Sequence, residues 1–85
     1  MKFIHIEISG KKWKIRFGNP GRDKDAICDY EKREIVLRRK SVGTLLDCIA
    51  HEVIHARCPD LVEETVYDLG NLIDEAYKKV VEKLV

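Results

Sequence analysis

The chain has 85 residues, enough for one small domain, and its 36% charged and 45% hydrophobic residues are typical of a folded globular protein. The formal net charge of +1 supplies no electrostatic reason to expect a nucleic-acid partner. No segment approaches the roughly 18 apolar residues of a membrane-spanning helix, and Glu7 inside the apolar start argues against a signal peptide.

Alternating apolar and polar residues predict two strands at the start of the chain, at 3–8 and 12–17. The turn-forming run 9–11 between them predicts a β-hairpin. A polar loop then extends to Asp25. The apolar positions share one face of each strand, with His5 on the opposite face of the first strand. They are Ile4, Ile6 and Ile8 in the first strand, and Trp13, Ile15 and Phe17 in the second.

Two short extended segments follow, at 26–30 and 35–37, around the polar turn 31–34. Three basic residues at 38–40 come directly after the second segment. Crowded charges of this kind are typical of the exposed end of an edge strand. We therefore expect the last strand to lie at the border of the sheet.

Two helices complete the chain. Ser41 is the predicted N-cap of the first helix, which should end near Arg57 because Pro59 cannot continue it. The second helix begins at about Asp60 and runs toward Lys83. Strands followed by helices define the α+β class, with a small antiparallel or mixed sheet of three to four strands. The apolar residues of the second helix are spaced alternately four and three apart: Val62, Val66, Leu69, Ile73, Ala76 and Val80.

The three cysteines at 28, 48 and 58 are odd in number and include no CxxC pair. This spacing argues against a disulfide framework and against a zinc site built of cysteines. Because no export signal is recognised, we expect a reducing, cytoplasmic location.

The first predicted helix carries His51-Glu52-Val53-Ile54-His55, an HExxH pattern. Residues four apart lie one turn above each other, so both imidazoles face the same way and can bind one Zn²⁺. Glu52 is rotated away from the ligands and can remove a proton from a metal-bound water. The apolar residues of this helix cluster about 170° away from His51. A pair of solvated surface histidines is the simpler alternative.

A catalytic zinc site needs a third protein ligand and an open position. Helical phase favours Glu63, at the border of the apolar stripe of the second helix, over Glu64, which points away. Either residue also suits the first turn of a helix without any metal. Asp60 is better explained as a helix N-cap, and Cys48 and Cys58 as small apolar side chains beside the histidine face. Gly70 lies near the same border as Glu63, where its missing side chain permits close approach.

The HExxH pattern, the extended segment before it and the acidic helix after it resemble the zincin metallopeptidases, on the gluzincin side. The layout is most similar to short phage-encoded proteins with an HExxHAxxPDL-x-EE pattern, matched here by His51 to His55, Ala56, 59–61 and 63–64. A weaker similarity to ImmA/IrrE-type peptidases also selects Glu63, with Val66 following. The resemblance covers residues 26–77.

This resemblance implies a zinc-dependent metallopeptidase or peptidase-like hydrolase, with Zn²⁺ on His51, His55 and Glu63 and with Glu52 as the catalytic base. It also implies a twisted sheet whose edge strand, expected at 34–38, binds a peptide or protein substrate in extended form. Two tyrosines are candidates for stabilising the oxyanion, although each also suits a half-buried packing position. They are Tyr30 and Tyr67.

A second hypothesis is a zincin-derived binding or regulatory module with a structural zinc. The small size of the chain motivates it, because zincin domains usually have more strands and more substrate-binding surface. We expect no membrane partner, and the basic residues of the second strand and of 38–40 are explained as solvated faces. The long apolar stripe of the second helix leaves a homodimer open.

Overall fold

A computed structural model describes residues 3–39 and 45–84. Within these ranges a four-stranded mixed sheet is followed by two helices, which confirms the predicted α+β class. The predicted N-cap Ser41 lies outside the described residues. In chain order the elements are β1 (Ile4–Ile8), β2 (Lys11–Phe17), β3 (Ala26–Asp29), β4 (Glu34–Leu37), α1 (Leu45–Arg57) and α2 (Glu63–Leu84).

The predicted hairpin is confirmed: β1 and β2 pair antiparallel, with Ile8 opposite Lys11. The two residues between them, Ser9 and Gly10, both have positive φ angles, of 53° and 77°. A two-residue turn with two positive φ angles matches the right-handed twist of the strands it joins. The register places Ile6 and Trp13 on the same face of the sheet.

The order of strands across the sheet is β1-β2-β4-β3, so the expectation of an edge strand at 34–38 is wrong. Strand β4 lies inside the sheet, parallel to β2 and antiparallel to β3. Its residues Ile35, Val36 and Leu37 are at most 3% exposed, as expected for a continuous apolar run covered on both faces. The basic residue that follows, Arg38, is half-buried and donates hydrogen bonds to the carbonyls of Lys24 and Gly21.

Helix α1 covers one face of the sheet. The buried cluster beneath it consists of Ile8, Trp13, Ile15, Ile35 and Leu37, which confirms the predicted core position of Trp13. His5 is exposed, also as predicted. The sheet-facing side of α1 is formed by Leu45, Cys48, Ile49, Val53 and Ala56.

Helix α2 packs on α1 through its first two turns. Val66 is fully buried, and a Cβ atom placed on Gly70 would lie 3.0 Å from Asp47 Oδ1 and 3.6 Å from the backbone nitrogen of His51. The absent side chain of Gly70 therefore permits the close approach of the two helices that the sequence predicted.

The start of α2 differs from the prediction, and the assignment of Asp60 as the N-cap is wrong. Helix α2 begins at Glu63, and its first hydrogen bond runs from the Val66 amide to the Val62 carbonyl. Asp60 instead belongs to a turn that the Leu61 amide closes on the Cys58 carbonyl, at 3.1 Å. The connection between the helices is therefore three residues longer than predicted, and α2 begins at Glu63.

Candidate metal centre

The two histidines of the HExxH pattern lie one turn apart on α1 and point the same way. Their Nε2 atoms are 3.1 Å apart and their ring centroids 4.7 Å apart. Both rings are more than four-fifths buried, because α2 covers one side of them. The apolar side of α1 faces the sheet, so the histidines lie on a separate face, as the sequence predicted.

Glu63, the first residue of α2, contacts both histidines. Its Oε1 lies 2.7 Å from Nε2 of His51 and its Oε2 lies 2.9 Å from Nε2 of His55. Helix α1 ends with the Cys58 amide donating to the Ile54 carbonyl at 2.7 Å, and the turn that follows brings the first turn of α2 to the histidine face. Glu64, the next residue, is exposed and does not join the group.

The donor set and its spacing fit a divalent ion. One ligand atom from each of His51, His55 and Glu63 lies within 4.8 Å of the others. Zinc binds imidazole nitrogen and carboxylate oxygen at about 2.0–2.1 Å in a tetrahedron, which separates ligand atoms by about 3.3 Å. The separations of 2.7–3.1 Å are only a few tenths of an ångström shorter, within reach of small side-chain adjustments. Neither Cys48 nor Cys58 belongs to this group.

Glu52 is buried beside the histidines, at 8% exposure. Burial raises the pKa of its carboxyl group, and the nearby charge of Glu63 raises it further, while His51 and His55 act in the opposite direction. A carboxylate with a raised pKa is a stronger base than an exposed one. This environment suits a residue that takes up and returns a proton.

A cleft of about 450 Å³ opens over these side chains, between β3 and the two helices. Its wall on the sheet side is formed by residues 26–28 and Tyr30, with Lys24 at one end. The Glu63 side chain is 70% exposed, so the centre is accessible from solvent. The strand that borders the cleft is therefore β3, an edge strand, and not the segment at 34–38 that the sequence suggested.

Cys28 is a cleft residue that sequence reasoning did not single out. Burial and the charge of Glu52 raise the pKa of its thiol to about 12, so the thiol is protonated at neutral pH. The position could have been recognised only with the strand order in hand, because Cys28 reaches the cleft by virtue of lying in the edge strand. The three cysteines, all within the described residues, form no disulfide.

The two candidate tyrosines lie on different sides of the centre. The Tyr30 hydroxyl donates a hydrogen bond to the His55 carbonyl at 3.0 Å, and its ring packs edge-on against Trp13. The Tyr67 ring packs edge-on against His51, with centroids 6.4 Å apart, and stays largely exposed. Tyr30 thus connects the segment after β3 to the end of α1 and lines the cleft, whereas Tyr67 does not line it.

No model of a known protein family matches the chain, and neither a curated protein nor a solved structure shows significant similarity to it. Among the described residues, no helix is both long and apolar enough to cross a membrane.

Proposed function

We propose that this chain is a small zinc-dependent metallopeptidase, or a peptidase-like hydrolase, with a minimal zincin-like centre. The main support is the convergence of His51, His55 and Glu63 from two helices, next to the buried carboxylate of Glu52. A solvated histidine pair would not need an acid from another helix within 2.9 Å of both rings. The reducing, cytoplasmic location expected from the cysteines is part of the same proposal.

In this proposal His51, His55 and Glu63 hold the metal and Glu52 handles the proton. Zinc bound there would supply a water of lowered pKa and would polarise the carbonyl of the substrate. The Glu52 carboxylate takes the proton of the attacking water and returns it to the amine nitrogen as the peptide bond breaks. Burial of Glu52 in the cleft wall keeps its carboxylate poorly hydrated and therefore basic.

The proposed substrate is a peptide in extended form along β3. An edge strand has one free row of backbone amides and carbonyls, and a peptide added to it gains affinity from main-chain hydrogen bonds. Residues 26–28 provide this edge in the wall of the cleft. Because β3 has only four residues, we expect a short contact and little sequence preference.

The alternative, a binding or regulatory module with a structural zinc, is favoured by one observation. Two of the candidate ligands lie in the second half of α1 and the third in the first turn of α2, so a metal there would stabilise the packing of the two helices. The two proposals differ in the role of Glu52, which matters for a hydrolase and not for a structural site.

The test measures metal content and peptide cleavage in the wild type and in three variants. Wild-type protein should retain about one zinc per chain. Glu63→Gln should lose the metal, while Glu64→Gln, the adjacent acid in the same helical turn, should keep it.

Glu52→Gln should retain the metal and lose cleavage by about 10²- to 10⁴-fold, the usual contribution of a general base. A metal-free wild type, or equal metal content in Glu63→Gln and Glu64→Gln, contradicts the metal centre. Full cleavage by Glu52→Gln contradicts the hydrolase. A metal-binding protein without cleavage supports the structural alternative.

A further inference from the structure

Helix α2 presents a long apolar face that the described part of the chain does not cover. From Leu69 onward, the large apolar side chains of α2 are 37–80% exposed. Helix α2 has 22 residues and α1 has 13, so α2 is about 13 Å longer than the helix it packs on. At 100° per residue, most of this face falls within a sector about 80° wide. Its members are Leu69, Leu72, Ile73, Tyr77, Val80 and Leu84.

The surface area of the whole chain points to a missing contact. The chain exposes 6414 Å², whereas a compact monomer of 9.9 kDa exposes about 5200 Å². The radius of gyration is 13.1 Å, against about 12 Å for a compact chain of this length. The excess of about 1200 Å² exceeds the roughly 800 Å² that each partner buries in a standard interface.

The apolar residues of this face are arranged symmetrically about the midpoint between Ala76 and Tyr77. If α2 is reversed about that point, each large apolar position falls opposite another apolar position. A two-fold interface requires such self-complementarity, because the same patch is used by both copies. The pairs that lie within the sector are Leu69 with Leu84 and Ile73 with Val80.

The charged residues at the middle of α2 lie outside this face. At 100° per residue, Asp74 and Lys79 fall about 110° and Glu75 and Lys78 about 150° from the direction of the midpoint, on the polar side of the helix. They form ion pairs within the helix, Lys78 with Asp74 at 2.9 Å and Lys79 with Glu75 at 3.1 Å. The centre of the apolar face therefore carries no charged side chain.

We propose that this face binds a second copy of the chain, so that the apolar stripes of the two α2 helices pack on each other about a two-fold axis. The apolar stripe forms the centre of the interface, and the charged side chains of the polar side stay in solvent. The metal centre lies at the other end of α2 and contributes no residue to this interface. Dimerisation is therefore independent of the proposed hydrolase activity.

Sedimentation equilibrium of the full chain tests the proposal. Wild-type protein should be a dimer at about 100 μM and should dissociate on dilution. Ile73→Glu should raise the dimer dissociation constant at least about tenfold, because it buries a charge without a partner. Asn71→Glu is the matched control, since it adds the same charge about 160° away on the polar side of the helix and should leave the dimer intact.

A second variant distinguishes a weaker dimer from a folding defect caused by Ile73→Glu. Leu84→Glu changes an 80% exposed side chain in the last turn of α2, and it should also weaken the dimer. Circular dichroism of each variant checks the helix content. A wild type that stays monomeric at 100 μM and above, or a dimer that Ile73→Glu and Leu84→Glu leave unchanged, overturns the proposal.

Discussion

The two halves of α2 share one apolar spacing but have different surroundings. In the first half, Val66 and Gly70 are buried against α1, and Glu63 reaches both histidines. In the second half, from Ile73 onward, every large apolar side chain is exposed. Periodicity therefore predicts a helix and its apolar face, but not whether that face is covered by the same chain.

Removal of the metal should produce the largest effect, and it should be confined to the first half of α2. If zinc is held at the centre, chelation should lower the melting temperature, since a ligand present at 100 times its dissociation constant contributes about 2.7 kcal/mol. Hydrogen exchange should accelerate near residues 51–70 and change little at 77–84. Calorimetry with and without a chelator measures the first effect, and exchange mass spectrometry the second.

Two alanine variants serve as controls for the chelation experiment. Glu63→Ala removes a proposed ligand and should make the melting temperature insensitive to the chelator. Glu64→Ala removes a neighbouring exposed acid and should respond as the wild type does. Equal sensitivity of both variants would contradict the assignment of Glu63 to the centre.

Valine-to-alanine substitutions, one in each half of α2, compare the packing of the two halves directly. Val66→Ala should lower the free energy of unfolding by about 2 kcal/mol, because Val66 is fully buried and its truncation leaves a cavity. Val80→Ala, at a 59% exposed position, should change it by less than about 0.5 kcal/mol. The gain in helix propensity is the same at both sites, so the difference reports packing.

Denaturant unfolding of these two variants must be measured at a concentration where the chain is monomeric. At higher concentration the gap between the variants should narrow, because Val80 would then be buried in the proposed dimer. Equal losses in the monomer would mean that α2 is covered along its whole length, contrary to the structure.

Much of the fold was predictable because it depends on local patterns. Alternation placed the hairpin, and the HExxH spacing on a helix with a separate apolar face placed the two histidines. Helical phase also distinguished Glu63 from Glu64, because an acid at the border of the apolar stripe can reach a neighbouring helix. Each of these predictions needed only the spacing of apolar and polar residues within a single strand or helix.

The errors concern relations between elements that are distant in sequence. The charges after Leu37 suggested an edge strand, but β4 is central, and its uninterrupted apolar run was the better indicator. Because β4 was taken as the edge strand, the sequence did not identify the residues of the cleft wall. Cys28 and Tyr30 border the histidines only because β3 is the outermost strand. Asp60 was misplaced because nothing local showed that a tight turn precedes α2.

The smallest predicted effect is a change in the reactivity of Cys28, in the cleft wall, when the charge of Glu52 is removed. The pKa of Cys28 is raised first by burial and then by the Glu52 charge. In metal-free protein, Glu52→Gln removes the second cause, so the pKa of Cys28 should fall and the thiolate fraction at pH 8 should rise. Burial persists, so alkylation of Cys28 should accelerate only several-fold, and it should remain slow.

Peptide mapping by mass spectrometry after timed treatment with iodoacetamide measures the rate at Cys28 alone. Glu64→Gln is the control, because its exposed carboxylate is not among the groups that act on the thiol. The rate should rise with pH in both variants, since the thiolate is the reactive form. An unchanged rate in Glu52→Gln would show that the carboxylate does not face the thiol across the cleft. The placement of Glu52 in the same cleft as Cys28 would then need revision.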